Sequence, residues 1–317
     1  MKYLLYNPIF RYYNEEKLPK GIVMKNKAIL PTLCAALGNV IWGFSFLFTK
    51  VGLSAAPDPN VMLAHRFLIA TIFMVVLMLM GKGSLSFKGK NWKPIVLMLI
   101  IQVSYYLFET YGILYTNSTV AGLVLAVVPV VTIGTGALFL REYPKPRQAL
   151  FCIMPVAGVI LMTVSGKELG VVTPIGIVLL LLTLLASAIY KTINRKAAEE
   201  FSSFERSFMV LANSALVFSL VGMKSVGWNI KAFVAPVVHI EYLLSVLSLG
   251  LLCSVAAQLL TNYASGKMSV FKMSSFGALS TLCSVIAGVV FLKEPMSITL
   301  LIGTVLILVG IRQVTKP

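Results

Sequence analysis

The sequence predicts an all-α membrane fold: ten transmembrane helices arranged as two inverted five-helix repeats, with both termini cytoplasmic. Three observations predict it. Of the 317 residues, 58% are hydrophobic and only 12% charged, whereas a soluble chain carries about 25% charge and about 45–50% apolar residues. Long apolar runs recur along the chain, and a bilayer span takes about 20 such residues. Finally, the 27 Lys+Arg against 11 Asp+Glu sort unevenly between alternate loops. A soluble enzyme, a disordered chain and a secreted disulfide scaffold are excluded. So are β-barrel strands, because the runs are continuous rather than alternating.

Residues 1–27 are polar, basic and aromatic, without the apolar core and small-residue cleavage site of a signal peptide. They read as a cytoplasmic N-terminal tail, of which residues 1–23 are expected to be dispensable for activity. Apolar runs follow at 28–50, 60–80, 95–115, 118–140, 148–164, 171–190, 206–223, 241–261, 270–291 and 297–314. Cys34, Cys152, Cys253 and Cys283 all fall inside such runs, with no CxxC pair, and read as buried thiols acting as small hydrophobes. With two histidines in the chain, no metal or other cofactor is implied.

Placing the N-terminus in the cytoplasm assigns 21 Lys and Arg to that side and five to the other, with Arg66 left inside a span. Short cytoplasmic loops carry such an excess, so most of the +16 net charge is a topology signal. Nothing in the chain reads as a nucleic-acid-binding module.

Shifting the sequence by 152 residues lays Phe139-Leu140-Arg141-Glu142 on Phe291-Leu292-Lys293-Glu294, Gly136 on Gly288, Tyr111 on Tyr263, and Gly158 on Gly310. Five spans per half is an odd number, so the second half inserts upside down. The halves read as residues 28–164 and 165–317. Inverted repeats are a recurring plan of secondary transporters, with the substrate site near the midplane. Thr132 and Gly136, like Ser284 and Gly288, stand four apart and permit close helix contact.

Several segments carry a family resemblance. They are Ile41-Trp42-Gly43-Phe44-Ser45-Phe46 ending in Lys50, His65-Arg66-Phe67, Glu109-Thr110-Tyr111-Gly112-Ile113-Leu114-Tyr115-Thr116, Pro129, and the Leu-x-Glu endings at Glu142 and Glu294. In their order and spacing, from about residue 28 to 314, the chain resembles the EamA-type, ten-helix branch of the drug/metabolite transporter superfamily. The resemblance implies export or exchange of small metabolites through a central cavity. Thr281 stands where Pro129 would repeat, so the halves have diverged and the cavity is expected to be asymmetric.

Two obligate charges lie well within the spans, Arg66 and Glu109. A charge at membrane depth costs at least about 2.5–3.5 kcal/mol, so it faces the bundle interior or a watery cavity. At about 1.5 Å per residue, Arg66, Glu109 and Trp42 lie roughly 9–12 Å from the outer ends of their spans. They form either a structural Arg66–Glu109 ion pair or a substrate and proton site. Gln102, Tyr105, Tyr106, Glu109 and Ile113 recur at helical spacing as one stripe. A carboxylate near tyrosines and Trp42 can hold an ammonium by ion pairing and cation–π contact. Asn39, one turn from Trp42, and Gln258 in the second half are further candidates, with Asn213 and Asn262 behind them. Tyr111 and Tyr115 read as packing anchors, Glu142 and Glu294 as solvated helix ends or gates, and Pro129 and Pro155 as kinks or hinges.

The expected function is that of a secondary transporter in the plasma membrane, as a monomer or weak dimer. It would export a small amine-bearing metabolite, such as an amino acid, by alternating access, through exchange or coupled to protons. No Walker A segment is present to use ATP. Alternatives on the same fold are a multidrug or organic-cation exporter and a lipid flippase. An alternative of another class is a membrane-embedded enzyme acting on lipid-linked substrates. Such chemistry needs paired carboxylates or His/Asp clusters, and His65 and His239 lack matching partners.

Overall fold

The computed structural model describes residues 20–86, 89–140, 172–268, 272–273, 276–294 and 298–314, with residues 154, 157 and 161 between them. Among these, all regular structure is helical. The helices are α1 (Lys20–Ala55), α2 (Pro59–Leu79), α3 (Lys93–Leu114), α4 (Ser118–Leu125), α5 (Val128–Leu140) and α6 (Pro174–Ala197). They continue as α7 (Ser203–Ser225), α8 (Ile230–Val234), α9 (Ile240–Ser265), α10 (Gly277–Phe291) and α11 (Ile298–Val314). Seven stretches among the described residues are long and apolar enough to cross a bilayer, with α4 and α5 together forming one of them, and the chain is a multi-pass membrane protein. The two expected C-terminal spans contain the shorter apolar helices Leu279–Phe291 and Leu301–Gly310. The expected fifth span, with Cys152, Pro155 and Gly158, lies almost wholly outside the described residues, as do residues 1–19 and Glu142.

Helix starts follow from local chemistry. Asp58, Asn117, Thr173 and Ser202 cap α2, α4, α6 and α7 with side-chain oxygens on otherwise unpaired N–H groups. Ser202 and Glu205 form a reciprocal capping box on α7. Glu205 also pairs with Lys90 at 2.7 Å and accepts the Ser86 N–H at 2.7 Å, pinning the α2–α3 loop to α7.

Two interruptions matter for the site. The α4/α5 break falls after Leu125, four residues before Pro129, whose missing N–H and ring disrupt the bond to that carbonyl. A π-helical segment, Ser248–Ala256, lies within α9; nothing in the apolar pattern of 241–261 announces it. In the packing, α2 lies along α7, α3 along α6, and α1 against α9 and α10. Glycines permit the closest approaches. A Cβ on Gly122 of α4 would lie 1.7 Å from Ser284 Oγ of α10, and one on Gly43 of α1 only 2.5 Å from Cys283.

Candidate functional site

A cavity with an empty volume of about 1050 Å³, its mouth included, opens between α1, α2, α3, α6, α9 and α10. All the candidates meet there. Asn39 and Trp42 reach it from α1, Arg66 from α2, Gln102, Tyr105, Tyr106 and Glu109 from α3, and Gln258 from α9. Asn213 and Asn262 do not line it. Asn213 Nδ2 donates to the Leu99 carbonyl at 3.4 Å, and Asn262 serves a polar network between α6, α7 and α9.

The depths need one correction. α1 continues to Ala55, so Trp42 lies about 20 Å from that helix end, well below Arg66 and Glu109. Those two share a level, yet they form no direct ion pair within 4.0 Å. Glu109 is buried, and its Oε1 accepts a 2.6 Å hydrogen bond from Tyr105. Arg66, 1% exposed, donates from Nε to Ser254 Oγ at 2.8 Å. Its guanidinium lies 4.6 Å from the centre of the Tyr106 ring and 5.3 Å from that of Phe67, while its Nη1 has no hydrogen-bond partner. A cation on an aromatic face is partly compensated for lost hydration. A buried donor left unpaired costs about 1–3 kcal/mol.

The π-helical segment holds this arrangement. The Cys253 carbonyl within it accepts the Trp42 Nε1–H at 3.0 Å, and Ser254 takes Arg66. Gly250 lets α9 approach the Arg66 carbonyl, which a Cβ would meet at 3.0 Å. A π turn widens the helix and re-aims its groups. Lower in the cavity, Gln258 Nε2 donates to Tyr190 Oη at 2.6 Å and Asn39 Nδ2 back-bonds to the Ala35 carbonyl at 2.7 Å.

Three lining residues escaped the sequence reading, which counted Lys191 and Arg195 as cytoplasmic-loop charges and passed over Tyr190. All three belong to α6 and face the cavity. Arg206, assigned to the same loop, is instead 2% exposed on α7. The i, i+4 spacing of Lys191 and Arg195 with Ser187 was the signal available, since it marks one helix face.

Toward the helix end shared by the α1 C-terminus and the α2 N-terminus, the lining goes no further than Phe46 on α1 and Glu109 on α3. That end is clamped at the α3–α4 turn. Lys50 Nζ donates to the Thr116 carbonyl at 2.9 Å and the Ile113 carbonyl at 3.4 Å. Thr173 N–H and Oγ1 donate to the Tyr115 carbonyl at 3.1 and 3.0 Å. Glu294 accepts from the Ser118 and Thr119 N–H groups at 2.9 and 3.0 Å and from Thr119 Oγ1. A cation thus sits on the C-terminus of α3 and an anion on the N-terminus of α4, as the helix dipoles favour. Glu294 is therefore no solvated end group. A turn with Lys293 at φ 53° returns it toward Gly288, whose hydrogen side chain leaves room for the carboxylate. At the other end the lining reaches Arg195, Ser265 and Gly277. Among the described residues no group of three His, Cys, Asp or Glu is placed to hold a metal ion.

Comparison with known proteins gives a consistent result. The family model described as the EamA-like transporter family matches residues 30–164 and 174–315. An uncharacterized transporter of Bacillus subtilis (strain 168), YcxC, is 32% identical over 91% of this chain and 94% of its own length. An uncharacterized transporter of Archaeoglobus fulgidus is 25% identical over 89% and 97%. A solved crystal structure superposes with a TM-score of 0.64 over 89% of this chain and 95% of its own, at 18% identity, and so shares the fold.

Proposed function

The chain belongs to the EamA-like transporter family, and from that premise we propose that it is a secondary active transporter of the plasma membrane. It exports a small amine-bearing metabolite, an amino acid or a related compound, by alternating access, with proton coupling or exchange as the driving reaction. The observation that carries this reading is the cavity itself, where Glu109, Arg66, Trp42 and the tyrosines of α3 converge between helices of both halves. Glu109 binds the amine; Trp42, Tyr105 and Tyr106 supply π faces for it.

Ten spans in two inverted repeats, residues 28–164 and 165–317, complete the proposal. The packing supports them. Under the 152-residue shift α3 on α6 exchanges with α9 on α1, α5 on α6 exchanges with α10 on α1, and α2 on α7 maps to itself. The excess of Lys and Arg places both termini in the cytoplasm. The Lys50–Glu294 clamp then closes the outer side, and the cavity loads from the cytoplasm. Export follows when the clamp opens and the halves rock about Glu109.

Uptake by the purified protein in liposomes, compared with Glu109→Gln, tests the reading. The expected result is a loss of about 100-fold in transport at sub-saturating substrate, which is about 2.7 kcal/mol. Unchanged affinity together with an unchanged pH profile would take Glu109 out of the mechanism.

A further inference from the structure

The charges lining the cavity do not balance. Glu109 is its one acidic lining residue among the described residues, whereas Arg66, Lys191 and Arg195 are all basic. None of the three cations has a carboxylate within ion-pair distance. Arg66 Nη1 is buried without a partner, and so is Arg195 Nε. Lys191 and Arg195 are half-buried and stand four residues apart on the cavity face of α6, a spacing at which like charges repel. The Arg66 guanidinium is already in place, fixed by Ser254 and by the Tyr106 ring, with one donor free.

The cations are also ordered in depth. Counted from the clamped end, Arg66 lies about 10 Å along α2, while Lys191 and Arg195 lie about 26 and 32 Å along α6. They therefore run from the open end of the cavity to its floor. A compound that enters past Arg195 and Lys191 and stops beside Arg66 meets positive potential throughout, which raises the local concentration of anions and repels cations.

We propose that the transported compound carries a carboxylate as well as its amine, and that this carboxylate is captured by Lys191 and Arg195 and delivered to Arg66 Nη1 while Glu109 takes the amine. The inference rests on the transport reading above and narrows it: simple organic cations are disfavoured substrates. The reach fits a small zwitterion, because Arg66 and Glu109 share one depth and are not joined to each other.

The test uses the full-length purified protein and three matched sets of probes. Leucine, phenylalanine and threonine are each compared with the corresponding methyl ester, which keeps the amine and loses the charge, and with the corresponding 2-oxo acid, which does the reverse. Thermal stabilisation in detergent reports binding, and uptake into liposomes reports transport. At least one amino acid stabilises the protein at a concentration at least 10-fold below that needed for its ester. Lys191→Gln and Arg195→Gln, separately, weaken the acid about 10-fold and leave the ester unchanged, while Lys191→Arg preserves the preference. Esters that bind as well as the acids, or a preference that survives both Gln variants, overturn the proposal, as does a failure of every carboxylate probe. An ester transported alone would leave the amine reading standing and sink this one. A 2-oxo acid that matches its amino acid would do the opposite. A variant with an unchanged melting temperature but lost discrimination separates a binding role from a packing role.

Discussion

Two arginines are buried to the same degree in this protein, and their surroundings differ. Arg206 is held from all sides. Its Nε reaches the Phe201 carbonyl at 3.2 Å, Nη1 reaches Asn194 Oδ1 at 2.5 Å and Ser265 Oγ at 3.1 Å, and Nη2 reaches the Asn262 carbonyl at 2.7 Å. Asn194 and Asn262 then bond each other at 2.8 Å, and Asn262 bonds Ser207 at 2.8 Å. Arg66 has one hydrogen bond, one aromatic face and an idle Nη1. A saturated buried cation stitches helices together, and an unsaturated one facing a cavity is available to a ligand. The difference teaches that burial alone does not separate structural from functional charge at membrane depth; the inventory of partners does.

Breaking the saturated side gives the largest effect. Arg206→Met removes donors from Asn194 Oδ1 and the Phe201 carbonyl, and each buried group so abandoned costs about 1–3 kcal/mol. Thermal unfolding in detergent is expected to show a stability loss of at least about 3 kcal/mol, with transport lost because the protein is lost. Arg66→Gln gives the opposite signature. The stability change stays within about 1 kcal/mol, since one hydrogen bond is lost and an unpaired donor disappears with it. Transport falls by about 100-fold. If Arg66→Gln unfolds the protein while Arg206→Met does not, the assignment of the two roles is reversed.

The same contrast explains what the sequence could say. Arg66 and Glu109 were legible because a charge inside an apolar run is costly and so conspicuous. The stripe from Gln102 to Glu109 was legible because helical periodicity places those residues on one face. Lys191, Arg195 and Arg206 lie close to a span boundary, and loop counting absorbed them into the topology signal. Helix ends fixed by caps, such as Thr173 and Ser202, would have moved that boundary outward. The π-helical segment that orients Trp42 and Arg66 has no composition of its own, because Ser248–Ala256 is as apolar as its flanks. Glu294 was recognised as a helix end, but its three donors come from a turn 175 residues away, a tertiary contact that no local pattern encodes.

The clamp offers a smaller and sharper test of which face the unsaturated arginine serves. Glu294→Gln keeps an acceptor for one of its donors and removes the charge that favours the α4 N-terminus, a loss of about 1–2 kcal/mol from the outward-closed state. That shifts the balance between the two states by roughly 10-fold. The expected readout is faster modification of a cysteine at Ser45, a cavity residue, by an impermeant maleimide applied from the outer side of a protein lacking its other cysteines. An unchanged rate would show that the contact at Thr119 is a fixed joint rather than a gate.

The smallest effect is expected at Tyr105. Its hydroxyl donates to Glu109 Oε1 at 2.6 Å, the sole hydrogen bond the carboxylate makes, so Tyr105 orients the group without itself carrying charge. Tyr105→Phe keeps the ring that packs edge-on against Tyr106 at 5.0 Å and deletes only the hydroxyl. A bound ammonium reaching Oε1 would replace the lost donor, so the cost falls mainly on the empty site and on orientation, about 1 kcal/mol or roughly a 5-fold rise in the half-saturating concentration. The melting temperature of the empty protein should drop measurably, and the drop should shrink when substrate is present. A deficit of equal size with and without substrate would mean that nothing replaces the hydroxyl at Oε1, and that the amine does not sit on Glu109.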